Sequence, residues 1–129
     1  MKSLNFMRVL EAAKTMLQEK GGINVSIVMQ NQVDTPTTIM EMIEQEEEES
    51  RTVWKEIYRL AIHHYSSELD AIKIDLIDTL MQSGFILPEG YELLTIRHYG
   101  KQNLVKEGNL THAKISFEIV ICRNLKVKI

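Results

Sequence analysis

The stretch HAKISFEIVICR, His112 to Arg123, decides the fold. Taken two by two, it sets Ala113, Ile115, Phe117, Ile119 and Ile121 on one side, and Lys114, Ser116, Glu118, Val120 and Cys122 on the other. Successive side chains of a strand point to opposite faces, so this period of two predicts a half-buried β-strand. Such a strand needs partner strands beside it and a cover on its apolar side, and the elements upstream supply both.

Two covers are readable. From Leu4 to Lys20, Phe6, Val9, Leu10, Ala13, Met16 and Leu17 keep to one helical stripe, and Gly21-Gly22 follows as a stop. In SSELDAIKIDLIDTLMQSG, residues 66–84, Ser67 caps a second helix with Asp70 three residues later, Leu69, Ile72, Leu76, Leu80 and Met81 form its buried stripe, and Gly84 ends it. Strands are expected at Ile23 to Gln30, at TTIMEMIEQ (residues 37–45), at Val53 to Tyr65 and at YELLTIRHY (residues 91–99). The first two read as a hairpin-like pair around the turn at Asp34-Thr35-Pro36. The third carries apolar groups on both faces, which predicts a central position.

Charge marks the connections. Glu46 to Glu49, followed by Ser50, reads as a solvated bend between strands, because four adjacent carboxylates cannot be packed inside. GKQNLVKEGN, Gly100 to Asn109, reads as a polar loop. The expected fold is therefore α+β: a largely antiparallel sheet of about four to five strands, in the order α-β-β-β-α-β-β, with the helices on one face. A single domain is expected over residues 1–123, with a short basic end at 124–129 (NLKVKI).

Bulk properties narrow the function. A chain of 129 residues with 44% hydrophobic and 26% charged residues can bury a core without metal or disulfide staples. Fifteen Lys and Arg against eighteen Asp and Glu give a formal charge of −3, so no overall positive field draws it to nucleic acid or an anionic membrane. One cysteine, Cys122, and no secretory signal in MKSLNFMRVL imply a reducing, cytoplasmic setting. No apolar run approaches the ~20 residues that span a bilayer.

Chemistry-bearing patterns are sparse. Four histidines, His63, His64, His98 and His112, with Glu68 and Asp70 nearby, raise a metal reading, yet adjacent strand residues face opposite ways, so His63 and His64 cannot share one ion without a bulge. The bland reading places these histidines at a sheet surface or interface. Cys122 lies mid-strand with no nucleophile motif, where cysteine behaves as a small hydrophobe. No glycine-rich loop opens a helix to cradle phosphate. No catalytic residue, cofactor or metal is expected.

The run YRLAIHHYSSELDAIKIDLIDTL, followed by GYELLTIRHYG and then EGNLTHAKISFEIVI, resembles the tail terminator, or tail completion, proteins of tailed bacteriophages and prophages. The resemblance covers roughly Tyr58 to Arg123 and rests on architecture: a strand, a Ser-capped helix, a strand, a glycine-bearing loop, then a strand beginning near Thr-His. It implies a non-enzymatic subunit that forms a ring, commonly a hexamer, which caps the tail tube and joins it to the head. The implied partners are further copies of the chain, the tail tube protein and a head-tail connector protein. The implied locations are the host cytoplasm during assembly and then the particle's tail. The segment MEMIEQEEEES has no counterpart in the family pattern, which keeps connector or stopper subunits open as an alternative, with a histidine-dependent metal protein or enzyme behind them.

Ring closure needs one patch to meet a different patch on the next subunit, and opposed charge suits that need. Candidate interface residues are Glu46, Glu47, Glu48, Glu49 and Arg51 on the acidic side, with Lys101, Gln102, Lys106 and Arg123 elsewhere.

Overall fold

A computed structural model describes residues 4–27, 37–48, 55–66, 71–108 and 110–123. Its elements are α1 (Phe6–Gly21), β1 (Val25–Ser26), β2 (Thr37–Glu48), β3 (Lys55–Ser66), α2 (Ala71–Ser83), β4 (Tyr91–His98), β5 (Asn103–Glu107) and β6 (Leu110–Arg123). The expected α+β class holds, with two helices and a six-stranded, mostly antiparallel open sheet, but one strand more than the sequence suggested.

β6 is the organising strand. Along one side it pairs antiparallel with β3, from Ser66↔Thr111 to Lys55↔Cys122. Along the other it takes β4 over Phe117 to Arg123 and β5 over Leu110 to Lys114. β2 continues the sheet beyond β3, and β1 closes it, so the order is β1-β2-β3-β6-β4 with β5 beside β6.

The alternation in HAKISFEIVICR is realised in full. Ile115, Phe117, Ile119 and Ile121 join Tyr58, Leu60 and Ile62 of β3 and Met40 of β2 in one core with Val9, Leu10, Leu17, Ile77 and Met81 of the helices. Both helices therefore lie on one face. Side chains of this size are worth about 1.5–3 kcal/mol each when fully buried, which makes this layer the main source of stability.

α1 follows its sequence signals. The Asn5 side chain accepts a hydrogen bond from the Met7 amide at 2.9 Å, and Gly22 ends the helix in the left-handed region at φ 63°. Gly21 serves a different purpose: a Cβ there would come within 2.7 Å of the Leu80 side chain, so its absence lets α1 and α2 approach closely.

Four expectations are corrected. β1 is two residues long and pairs parallel to β2, so these two strands form no hairpin, and the turn at Asp34-Thr35-Pro36 lies outside the described residues. Glu46, Glu47 and Glu48 are not a bend: they extend β2 opposite Ile57, Glu56 and Lys55. Exposure forbids burial of a carboxylate, but it does not forbid an outer strand, whose backbone can pair while its side chains stay in water. The loop at Gly100 to Asn109 contains β5, which pairs antiparallel with β6 from Asn103↔Lys114 to Glu107↔Leu110. In α2 the buried residues are Ile77 and Met81, with Ile74 and Leu80 partly buried, whereas Ile72 is 83% exposed and Leu76 37%. AIKIDLIDTLM offers several 3.6-period stripes, and the contact with α1 selects the one through Ile77. The Ser67 cap, Leu69, Glu49, Ser50, Arg51 and the basic end at 124–129 lie outside the described residues.

Candidate functional site: the helix-free face of the sheet

The second face of the sheet carries the polar half of the alternation. β3 contributes Ile57, Arg59, Ala61, His63 and Tyr65, and β6 sets Val120, Glu118, Ser116, Lys114 and His112 opposite them. Neither helix joins this layer, yet Glu118, Ser116 and His63 are only 6%, 7% and 5% exposed. Their cover is their own neighbours.

Arg59 is the centre. Its Nε donates to Glu118 Oε2 at 2.9 Å, and its Nη1 reaches Glu44 and Glu46, the latter at 2.9 Å. Arg97 of β4 donates to the other Glu118 oxygen at 2.7 Å. Register explains the assembly, because Glu44, Arg59, Glu118 and Arg97 stand in one row across β2, β3, β6 and β4. Arg97, and then Arg59, hold the Glu118 carboxyl below the usual carboxylate range despite its burial. The Arg59 guanidinium carbon sits over the Tyr99 ring, 5.0 Å from its centre, and the Tyr99 hydroxyl stands 3.5 Å from Glu44. A cation so placed gains about 0.5–1 kcal/mol from the ring face.

A second cluster sits lower on the same face. Rings of Tyr65 and His112 stack at 4.2 Å, and His63 Nδ1 lies 2.7 Å from His112 Nε2, within hydrogen-bond distance. Glu41 stands 3.5 Å from His63 Nε2. The adjacent His64 points to the other face and meets Thr38 Oγ1 at 3.0 Å. His63 and His64 are thus divided between faces as the strand period requires, but both are buried rather than at a surface. His98 is exposed and meets Asp78 of α2 at 2.6 Å. Among the described residues, no three His, Cys, Asp or Glu side chains are arranged to hold a metal.

On the helix side, the Tyr58 hydroxyl lies 2.6 Å from the Leu4 carbonyl and 2.7 Å from Glu56 Oε2. Burial, and then Glu56, push its ionisation above the ordinary phenol range. This bond ties the chain entering α1 to the sheet.

The interface candidates fall at the rims. Glu46 is tied to Arg59, and Glu47 is exposed one residue on. Lys101 and Gln102 are exposed between β4 and β5, and Lys106 is exposed on β5. Arg123 ends β6 opposite Tyr91. The fold therefore does not gather them: the acidic group lies along β2 and Lys101, Gln102 and Lys106 along the opposite rim. Between the rims, an open cleft is floored by Lys114 and Ser116 and walled by Glu41, Met42, Tyr99 and Lys101. Its ionisable groups are Glu41, Tyr99, Lys101 and Lys114.

The network of Arg59, Glu118 and Arg97 was not singled out from sequence. Its signal was present as the two charges, at 59 and 118, interrupting the most apolar strands of the chain.

Comparison with known proteins gives a family and a fold. A family model described as "Putative tail termination protein" matches residues 1–129. No curated protein matches. Among solved structures, a chain from "Virion of native gene transfer agent (GTA) particle" superposes with a TM-score of 0.62 at 9% identity, covering 94% of this chain and 99% of that one. At that identity the likeness is one of fold.

Proposed function

The chain belongs to the phage tail termination protein family, and from that membership we propose that it closes into a ring that ends the tail tube and presents the face to which the head is joined. The family is one of virion structural proteins, so the work expected of this chain is done by surfaces. The observation that carries the reading is the match over the full 129 residues, in agreement with the resemblance in the stretch from Tyr58 to Arg123. The site geometry supports it. Arg59, Glu118 and Arg97 bond one another across three strands, and His63 meets His112 across two, so the polar face is committed to holding the sheet together, as a scaffold requires.

The ring is a homo-oligomer, most simply a hexamer, whose neighbours meet through unlike patches. Glu46, Glu47 and Glu48 of β2 are the described members of the acidic patch, to which the sequence adds Glu49 and Arg51, and Lys101, Gln102, Lys106 and Arg123 supply the other. Such charges steer encounter and register more than they add affinity. The tail tube protein and a head-tail connector are the further partners. Native mass measurement tests the proposal: a closed species at about six times 14.9 kDa, formed alone or on added tail tubes, is expected. A chain that stays monomeric and ignores tube ends would refute it.

A further inference from the structure

We propose that neighbouring subunits join helix to groove: the open stripe of α2, formed by Ile72, Leu76, Thr79 and Ser83, seats in the cleft beside α1 on the next copy. The inference rests on the ring reading above and supplies the apolar contact on which that ring closes.

α2 carries more apolar surface than one subunit uses. Its core stripe runs through Ile77 and Met81, yet Ile72 is 83% exposed and Leu76 37%. These two, with Thr79 and Ser83, fall at i, i+4, i+7 and i+11, one line along the side of the helix turned away from the core. Thr79 and Ser83 are exposed and small, so a partner can approach along the whole line. The Ser83 hydroxyl already donates to the Leu80 carbonyl at 2.7 Å, so covering it strands no donor. A surface helix ordinarily has one apolar face, and a second at this spacing is the pattern of helices that dock in grooves.

The groove is present on the same subunit. A cleft of about 420 Å³ lies between α1 and residues 85–88, lined by Ala12, Thr15 and Met16 on one side and Phe85, Ile86 and Leu87 on the other. Its outer wall is held in place. Phe85 is buried and Leu87 packs against the core. The Gly84 amide donates to the Met81 carbonyl, and the Tyr91 amide to the Pro88 carbonyl, each at 3.2 Å. The cleft is therefore preformed, and docking there costs little ordering entropy. Ile86 at its lip is 91% exposed, so the two most exposed large hydrophobic side chains among the described residues lie one on the groove and one, Ile72, on the stripe.

No residue of α2 lines the cleft, so stripe and groove are separate patches. A contact between unlike patches runs head to tail, the kind that closes rings. Charge argues against the like-with-like alternative. Stripe on stripe would bring two copies of Asp75, exposed beside Leu76, into one contact. The charged rim of the groove balances, Arg8 and Lys20 against Glu11 and Glu19, and admits a single carboxylate without that repulsion.

Cysteine pairing tests the contact. In rings formed alone or on tubes, a chain carrying both Leu76→Cys and Ile86→Cys should oxidise to a ladder of covalent dimers, trimers and larger species. Either substitution alone should give no dimers, and the buried Cys122 adds none. Ile72→Asp, at a position too exposed to disturb folding, should lower the ring fraction in native mass spectra by about tenfold or more. Intact rings without a ladder, a ladder from Leu76→Cys alone, or rings unaffected by Ile72→Asp would overturn this docking and leave the ring reading standing. A parent chain that forms no ring with or without tubes would remove both.

Discussion

Replacing Glu118 by glutamine removes the one carboxylate that both Arg59 and Arg97 share. Hydrogen bonds to a charged partner are worth about 1.5–3 kcal/mol each, and the loss is largest where water cannot substitute. The Arg97 side chain is 71% exposed and rehydrates, so its share is small. The Arg59 side chain is 14% exposed and Glu118's is 8%, so that bond is lost without repayment, although Glu44 and Glu46 still hold the guanidinium. The balance is a loss of roughly 2 kcal/mol, or on the order of 6–10 °C in Tm for a domain of this size. Urea unfolding at neutral pH, followed by circular dichroism, measures it. The pH dependence has a definite sign. Glu118 has a lower pKa folded than unfolded, so its contribution is present above about pH 4.3 and is lost as pH falls through the folded value. The parent should therefore lose stability faster on acidification than Glu118→Gln, and the gap between them should close. A variant within about 0.5 kcal/mol of the parent at neutral pH, or a gap that widens in acid, would refute the reasoning that this row holds the open face together.

Three further outcomes follow from burial. Tyr58→Phe leaves Glu56, 4% exposed, without the hydroxyl that bonds it and frees the Leu4 carbonyl, so a loss of about 1–2 kcal/mol in chemical unfolding is expected. Ile77→Ala should cost about 2–4 kcal/mol, whereas Ile72→Ala, at a position 83% exposed, should fall within about 0.5 kcal/mol of the parent; equal effects would contradict the assigned stripe of α2. The Cys122 thiol, pushed up by burial and then by Glu92, should resist alkylation in the native chain at mildly alkaline pH and react promptly in denaturant.

How far the sequence could be read depends on which interactions are periodic. The face assignments of β3 and β6 follow from alternation, since both strands are long and one face packs on helices. β5 escaped because NLVKE is short, exposed over residues 103–106 and held only through β6; the signal available in the sequence was the Gly-Asn dipeptide at 108–109, a pair favoured in tight turns. The glutamate run was read through side-chain burial, whereas its backbone pairing with β3 extends β2 regardless of what the side chains need. β1 has two residues and a parallel partner, so nothing local marks it. The site was the least legible part. Arg59 and Glu118 are far apart in the chain, as are His63 and His112, and only the antiparallel register of β3 on β6 brings them together. The charges at the rims were visible individually, but their placement on opposite edges required the strand order.

Tail length tests the proposed role most directly. In particles assembled without the chain, electron microscopy should show tubes of unlimited, scattered length with no heads attached, and supplying the chain should restore one length and joined heads. Tubes of normal length with heads attached in its absence would contradict the account.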